Sequence, residues 1–143
     1  MECEFPQSNA TNDELVEMMD EMKTIAVMGL SPVESKPSFF VPKYMQEQGY
    51  KIFPVYPKED TIMGEKVYRS LSEIPENVDC VNIFRKPAAV TAIVDEAIKR
   101  GDVKIIWMQE GIVNNEAADK AREAGMKVVQ TKCLMVEHRM IKG

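Results

Sequence analysis

Five apolar runs of strand length recur about every 25 residues along the 143-residue chain, and this spacing restricts its folds more than any other feature. They are TIAVMGL (24–30), KIFPVY (51–56), DCVNIF (79–84), VKIIWM (103–108) and MKVVQ (126–130). Segments of helical period lie between them. That alternation predicts βα units and a parallel sheet covered by helices on both faces. Pro54 sits inside the second run and removes one ladder hydrogen bond. The second strand is therefore expected near a sheet edge, covered at most by a short strand around residues 66–68.

The helical segments carry readable ends. Thr11 and Glu14 have the spacing of a capping box ahead of Leu15, Val16, Met18, Met19 and Met22, an apolar stripe whose methionines serve as core filler. A second helix is predicted over 38–48, closed by Gly49, with Pro42 near its first turns. Pro87 opens a third, with Val90, Ile93, Val94, Ala97 and Ile98 on its apolar face and Gly101 at its end. Its Asp95/Lys99 and Glu96/Arg100 spacings predict surface ion pairs. A fourth runs from an Asn114 or Asn115 cap to residues 123–124 and closes at Gly125. Right-handed crossovers send such helices alternately to two faces. The expected fold is α/β: a three-layer, doubly wound parallel sheet, Rossmann-like, of about five main strands. Residues 1–23 are expected to form an extension and helix packed on a domain of residues 24–143, a single domain overall.

In doubly wound folds ligands bind beyond the carboxyl ends of the strands. That rule selects residues 29–38, 56–58, 84–87, 109–111 and 131–133. In the first stretch, GLSPVESKPS, Gly29 permits close backbone approach, Ser31 and Ser38 offer hydroxyls, Lys36 adds charge, and a helix start follows. The second strand ends Tyr56-Pro57-Lys58, without the terminal acid that binds a free ribose diol, because Glu59 and Asp60 lie further out. A lysine there suits a phosphorylated ribose. The third strand ends Phe84-Arg85-Lys86.

Charge gives these cations their meaning. The chain has 18 Lys+Arg against 23 Asp+Glu, a net −5, which argues against nucleic-acid or anionic membrane surfaces as partners. Singly, each of Lys36, Lys58, Arg85 and Lys86 is an ordinary solvated charge. Their shared position on one expected sheet edge points to a small, phosphate-rich ligand.

The remaining features narrow the class. With 45% hydrophobic residues the chain can bury roughly 70% of its unfolded surface, which excludes intrinsic disorder. Cys3, Cys80 and Cys133 are widely spaced, and a lone His138 gives no metal-ligand cluster, so no metal is expected. His138 reads as a surface or packing residue. The acidic first twenty residues lack the apolar core of a signal peptide, and no run of 18 apolar residues exists. A cytoplasmic protein with reduced thiols is expected.

IAVMGLSP followed by KPS, then IFPVYP, GEKVYRSL, VNIFRKP, IIWMQEGIVN and TKCLMVEH occur in order from about residue 24 to 138. In that order and spacing the chain resembles the stand-alone coenzyme A-binding proteins of Rossmann-like fold. That family is related to the amino-terminal domain of the succinyl-CoA synthetase α subunit. The resemblance implies bound coenzyme A or acyl-CoA. It implies Gly29, Leu30 and Ser31, with Lys36, Pro37 and Ser38, around the phosphates, and Tyr56, Pro57 and Lys58 by the adenine and phosphorylated ribose. Phe84, Arg85, Lys86 and Val90 would line the third loop, and Gln109, Glu110 and Gly111 the far wall. Tyr56 stands where the family often has Asn, and Pro42 falls inside the helix after KPS.

No Ser/His/Asp or Cys/His constellation accompanies these loops, and the phosphorylatable His of the synthetases belongs to a further domain. The expected function is a non-catalytic CoA-binding or sensing module. Cys133 follows the fifth strand beside Lys132, on the ligand side, and two readings stay open for it: a small packing residue, or a thiol that can form a mixed disulfide with the CoA thiol under oxidising conditions. Cys80 lies in a buried strand and Cys3 in a loose tail. Two other functions stay open: an enzyme or ligase-associated subunit acting on a CoA thioester, and an NAD(P)-binding redox regulator. No protein partner is indicated.

Overall fold

Among the described residues, 5–143 of the computed structural model, the five apolar runs form one parallel sheet. Its strands are β1 (Thr24–Met28), β2 (Lys51–Val55), β5 (Cys80–Ile83), β6 (Ile105–Met108) and β7 (Lys127–Val129), in the order β2-β1-β5-β6-β7. The order reverses between β1 and β5, so the crevice of a doubly wound sheet opens above those two strands. Every residue of β5 and β6 is buried, as expected of parallel strands covered on both faces. Asp79, at the start of the third run, lies just before β5. Its carboxylate accepts from the N–H groups of Lys23 (2.8 Å) and Thr24 (3.3 Å) and ties the entrance of β1 to that of β5.

Side-chain alternation along the strands sorts the core into two halves. Ile25, Val27, Ile52, Ile105 and Trp107 face α1 (Asn12–Glu21), α2 (Pro37–Glu47) and α5 (Leu134–Lys142). Ala26, Met28, Phe53, Ile83 and Ile106 face α3 (Val90–Arg100) and α4 (Asn115–Glu123). The capping box on α1 forms in both directions, at 3.2 Å from the Glu14 N–H to Thr11 Oγ1 and 2.9 Å from the Thr11 N–H to Glu14 Oε1. The Thr11 N–H holds the Glu14 carboxyl below its usual value. Leu15, Met18, Met19 and Met22 are core residues, but Val16 is 44% exposed, because it falls a turn-fraction away from their face.

The expected edge strand is at the edge. β2 has β1 on one side, and on the other only a single bridge from Val55 to Tyr68. Tyr68 donates its N–H to the Pro54 carbonyl at 2.9 Å, so the proline's missing donor faces the outer side, where no ladder runs. Between them a short hairpin of β3 (Thr61–Ile62) and β4 (Glu65–Lys66) turns at Met63 and Gly64, both in the left-handed region.

Three further expectations are corrected. Asp95 pairs with Lys120 of α4, and Arg100 with Asp102, in place of the two pairs expected within α3, because the α3–α4 and helix-end neighbours bring closer partners. Residues 87–89 form a 3-10 turn, and α3 proper begins at Val90. The helix α5 lies in a stretch with no predicted element, although Leu134, His138 and Ile141 have helical spacing.

Candidate functional site

The carboxyl end of β1 is closed by contact with its neighbour. Gly29 has φ +86°, and a Cβ there would lie 2.9 Å from the Phe84 carbonyl oxygen and 3.0 Å from Arg85 Cδ. Its close approach is thus to the β5 loop. Leu30 and Ser31 turn inward and are buried. Ser31 Oγ accepts from the Val33 N–H at 3.0 Å.

Pro42 is accommodated by the same loop. A proline at that position leaves the Ser38 carbonyl without its helical donor. The Ser31 N–H donates to that carbonyl at 3.2 Å. The loop after β1 is thereby tied to the first turn of α2, which begins at Pro37 as its first helical residue.

A cavity of about 590 Å³ lies between the starts of α2 and α5. Lys36, Pro37, Ser38, Phe40 and Val41 line it from α2 and its cap, and Phe84 and Arg85 from the end of β5. Gln109, Glu110 and Ile112 line it beyond β6, and Cys133, Met135 and Val136 at the start of α5. Lys36 and Cys133 are the N-caps, and neither makes a side-chain cap bond. The N–H groups of Ser38, Met135 and Val136 have no hydrogen-bond partner among the described residues. Two helix starts with unused donors, a lysine and an arginine make this rim favourable to anions, while its walls are apolar.

The far wall is rigidly held. Gln109 is buried, and its Oε1 accepts from Asn82 Nδ2 (3.2 Å) and from the Leu134 N–H (3.3 Å), which fixes the first turn of α5. Gly111 donates its N–H to Thr131 Oγ1 at 3.0 Å, joining the loops beyond β6 and β7.

A second cavity, of about 280 Å³, lies beyond the ends of β1 and β2. Tyr56, Pro57, Arg69 and Ser70 line one side, and Ala92, Ile93 and Glu96 of α3 another. Arg85 lines both cavities and forms the partition between them.

The structure therefore divides the expected site residues. Lys36, Pro37, Ser38, Phe84, Arg85, Gln109, Glu110 and Cys133 come together on the larger cavity, and Tyr56 and Pro57 on the smaller. Lys58 and Lys86 are exposed and line neither, so the four cations do not form one cluster. Val90 is fully buried in the α3-side core, because it opens that helix facing inward. Sequence reasoning missed Met135 and Val136, which a helix over 134–142 would have supplied, and Arg69 and Ser70, which follow the Val55–Tyr68 bridge.

Cys133 is half-buried on the larger cavity, while Cys80 is fully buried in β5, where burial pushes its thiol far up. Cys3 lies outside the described residues. His138 is a packing residue. Its Nδ1 lies 2.8 Å from the Tyr44 hydroxyl, and Tyr44 and Tyr50 meet its ring edge-on. Burial first, and then the charge of Lys142, lowers its pKa. Among the described residues no cluster of His, Cys, Asp and Glu could hold a metal ion, and no helix is long and apolar enough to cross a membrane.

Residues 23–139 match the family described as CoA binding domain. The chain is 37% identical over 134 residues to the Bacillus subtilis protein YneT, covering 94% of this chain and 98% of that one. It is 24% identical over 119 residues to the ADP-forming acetate–CoA ligase of Methanocaldococcus jannaschii, covering 78% of this chain but only 17% of the ligase. A protein from Pyrococcus horikoshii OT3 superimposes with a TM-score of 0.90 at 37% identity, over 100% of both chains.

Proposed function

The chain belongs to the CoA binding domain family, and from that membership we propose that it binds coenzyme A or an acyl-CoA across the two cavities that Arg85 divides. The observation that carries this reading is the pair of helix starts with unused N–H donors facing one cavity beside Lys36 and Arg85. The diphosphate sits there, on Ser38 at the start of α2, while Gly29, Leu30 and Ser31, which line neither cavity, hold the loop behind it. The adenosine lies over Tyr56 and Pro57, with Lys58 nearby and Lys86 adding positive potential. The pantetheine arm runs along Phe84, Gln109 and Glu110, and the thiol end reaches Cys133.

Binding without turnover is the function this arrangement supports. The titratable side chains lining the larger cavity are Lys36, Arg85, Glu110 and Cys133, which supply charge and a thiol but no nucleophile–base pair. A mixed disulfide at Cys133 follows by exchange with oxidised CoA. The Cys133 thiolate attacks one sulfur of the CoA disulfide, a Cys133–CoA bond forms, and the second CoA leaves as a thiolate that solvent protonates. Free thiols at Cys80 and Cys133 suit a reducing, cytoplasmic setting in which such an adduct is reversible.

Calorimetry with CoA, NAD and NADP tests the reading. CoA should bind well ahead of both dinucleotides; preferential binding of NADP would replace this function with that of a redox regulator. Intact mass after incubation with CoA disulfide should rise by one CoA, fall back with reductant, and stay unchanged in Cys133→Ser. The likeness to the M. jannaschii ligase favours a second reading, a subunit serving a separately encoded ligase partner. Acyl-CoA formation by the purified chain with a candidate partner, and none by either alone, would establish it.

A further inference from the structure

The smaller cavity contains a cation that the strand-end rule passes over. Arg69 follows Tyr68, and the bridge from Val55 to Tyr68 sets it just outside β2 at the carboxyl end of the sheet. The Tyr56 N–H donates to the Tyr68 carbonyl at 3.0 Å, which fixes the two chain segments side by side. Arg69 Nη1 then donates to the carbonyls of Tyr56 and Lys58, both at 2.9 Å. Its own N–H donates to Glu73 Oε1 at 2.8 Å. The guanidinium is oriented by the two carbonyls on Nη1, and the main chain behind it by Glu73.

Only one edge of that guanidinium is used. Nε and Nη2 make no hydrogen bond among the described residues, and the fully exposed Asp60 carboxylate stands 3.8 Å from Nη2, beyond hydrogen-bond distance. Two adjacent donors in a fixed plane match the oxygens of a phosphate. Arg69 lines a cavity whose other walls include Tyr56, Pro57 and Ser70, a surface suited to a ribonucleotide. The carboxylate of Glu96 on α3 also lines this cavity and disfavours phosphate on its own side. Lys58 contributes its carbonyl to Arg69, and its side chain does not line the cavity.

We propose that Arg69 is the residue that reads the phosphate on the ribose of the bound nucleotide, and that Lys58 supports it through the main chain. This rests on the CoA-binding reading above and identifies which side chain gives it specificity for the phosphorylated ribose.

The test is calorimetry of wild type, Arg69→Gln, Arg69→Lys and Lys58→Gln with CoA and with dephospho-CoA, each variant's melting temperature being measured alongside. A charge-assisted phosphate contact should make wild type prefer CoA by a factor on the order of tenfold to a hundredfold. Arg69→Gln should bring that ratio close to one. Arg69→Lys should leave it intermediate, since it keeps the charge and loses the planar fork. Lys58→Gln, which keeps the main-chain carbonyl that Arg69 bonds, should leave it close to the wild-type value. The ratio is the readout because a loop loosened by losing the two carbonyl bonds weakens both ligands alike. A wild-type ratio retained in Arg69→Gln, or a larger fall in Lys58→Gln, overturns the assignment alone. Wild type that binds neither ligand overturns the CoA reading and this assignment with it.

Discussion

Gly29 illustrates how one residue serves two purposes. Its left-handed φ and its 2.9 Å approach to the Phe84 carbonyl oxygen both exclude a side chain. Gly29→Ala should cost about 1–3 kcal/mol in denaturant unfolding and weaken CoA binding as well, by pushing Arg85 from its place. A variant as stable as wild type would show that the β1 and β5 loops can part freely. His138 makes a separate prediction. Burial depresses its pKa in the folded state below the ordinary 6.5, so the neutral form is favoured by folding. That contribution is present above about pH 6.5 and is lost as pH falls through the folded value. Being the single histidine of the chain, it can be followed without ambiguity by NMR, and its midpoint should lie below 6.5. Between about pH 7.5 and about pH 5, wild type should lose more stability than His138→Gln does. Sequence reading left His138 as either a surface or a packing residue, because its partners Tyr44 and Tyr50 come from α2 and the segment after it, which local pattern does not pair with α5.

At the scale of elements, helix ends were the most legible features, since their signals are local. Thr11 with Glu14, Asn114 and Gly101 all stand at the boundaries their chemistry dictates. Asn114 does more than cap. Its Oδ1 accepts from the Ala117 N–H at 3.0 Å, and its Nδ2 donates to the Pro87 carbonyl at 2.9 Å, joining α4 to the start of α3. Asn114→Ala should therefore destabilise by about 1–2 kcal/mol, near the upper end for a cap, read as a shift in the urea midpoint with unchanged slope. The α2 proline is the counter-case. Pro42 leaves the Ser38 carbonyl to the Ser31 N–H. Pro42→Ala returns a helical donor that competes for that oxygen, so it should leave the melting temperature no lower than wild type while reducing CoA affinity. Tighter binding in Pro42→Ala would rule out the loop tether as a binding feature. α5 escaped detection because its three inward positions alternate with exposed Val136 and Met140, which blurs the apolar stripe.

For the whole molecule, a ligand that binds only the folded chain at 100 times its dissociation constant should add about 2.7 kcal/mol, observable as a rise in melting temperature of several degrees. CoA should produce it and dephospho-CoA should produce less at equal concentration. Sequence by itself determined the α/β class, the five strands, the edge position of β2 and the resemblance to CoA-binding proteins. Each of these follows from periodicity, punctuation and motif order, which act over a few neighbouring residues. Tertiary structure alone decided that the cations split into a lining pair and two outlying lysines, that Arg85 separates two cavities, and that Arg69 stands beside Tyr56. Those outcomes depend on strand order and on which carbonyls the sheet leaves open to distant donors. Hydrophobic pattern sets which face of an element is buried, but it carries no information about which strand ends meet.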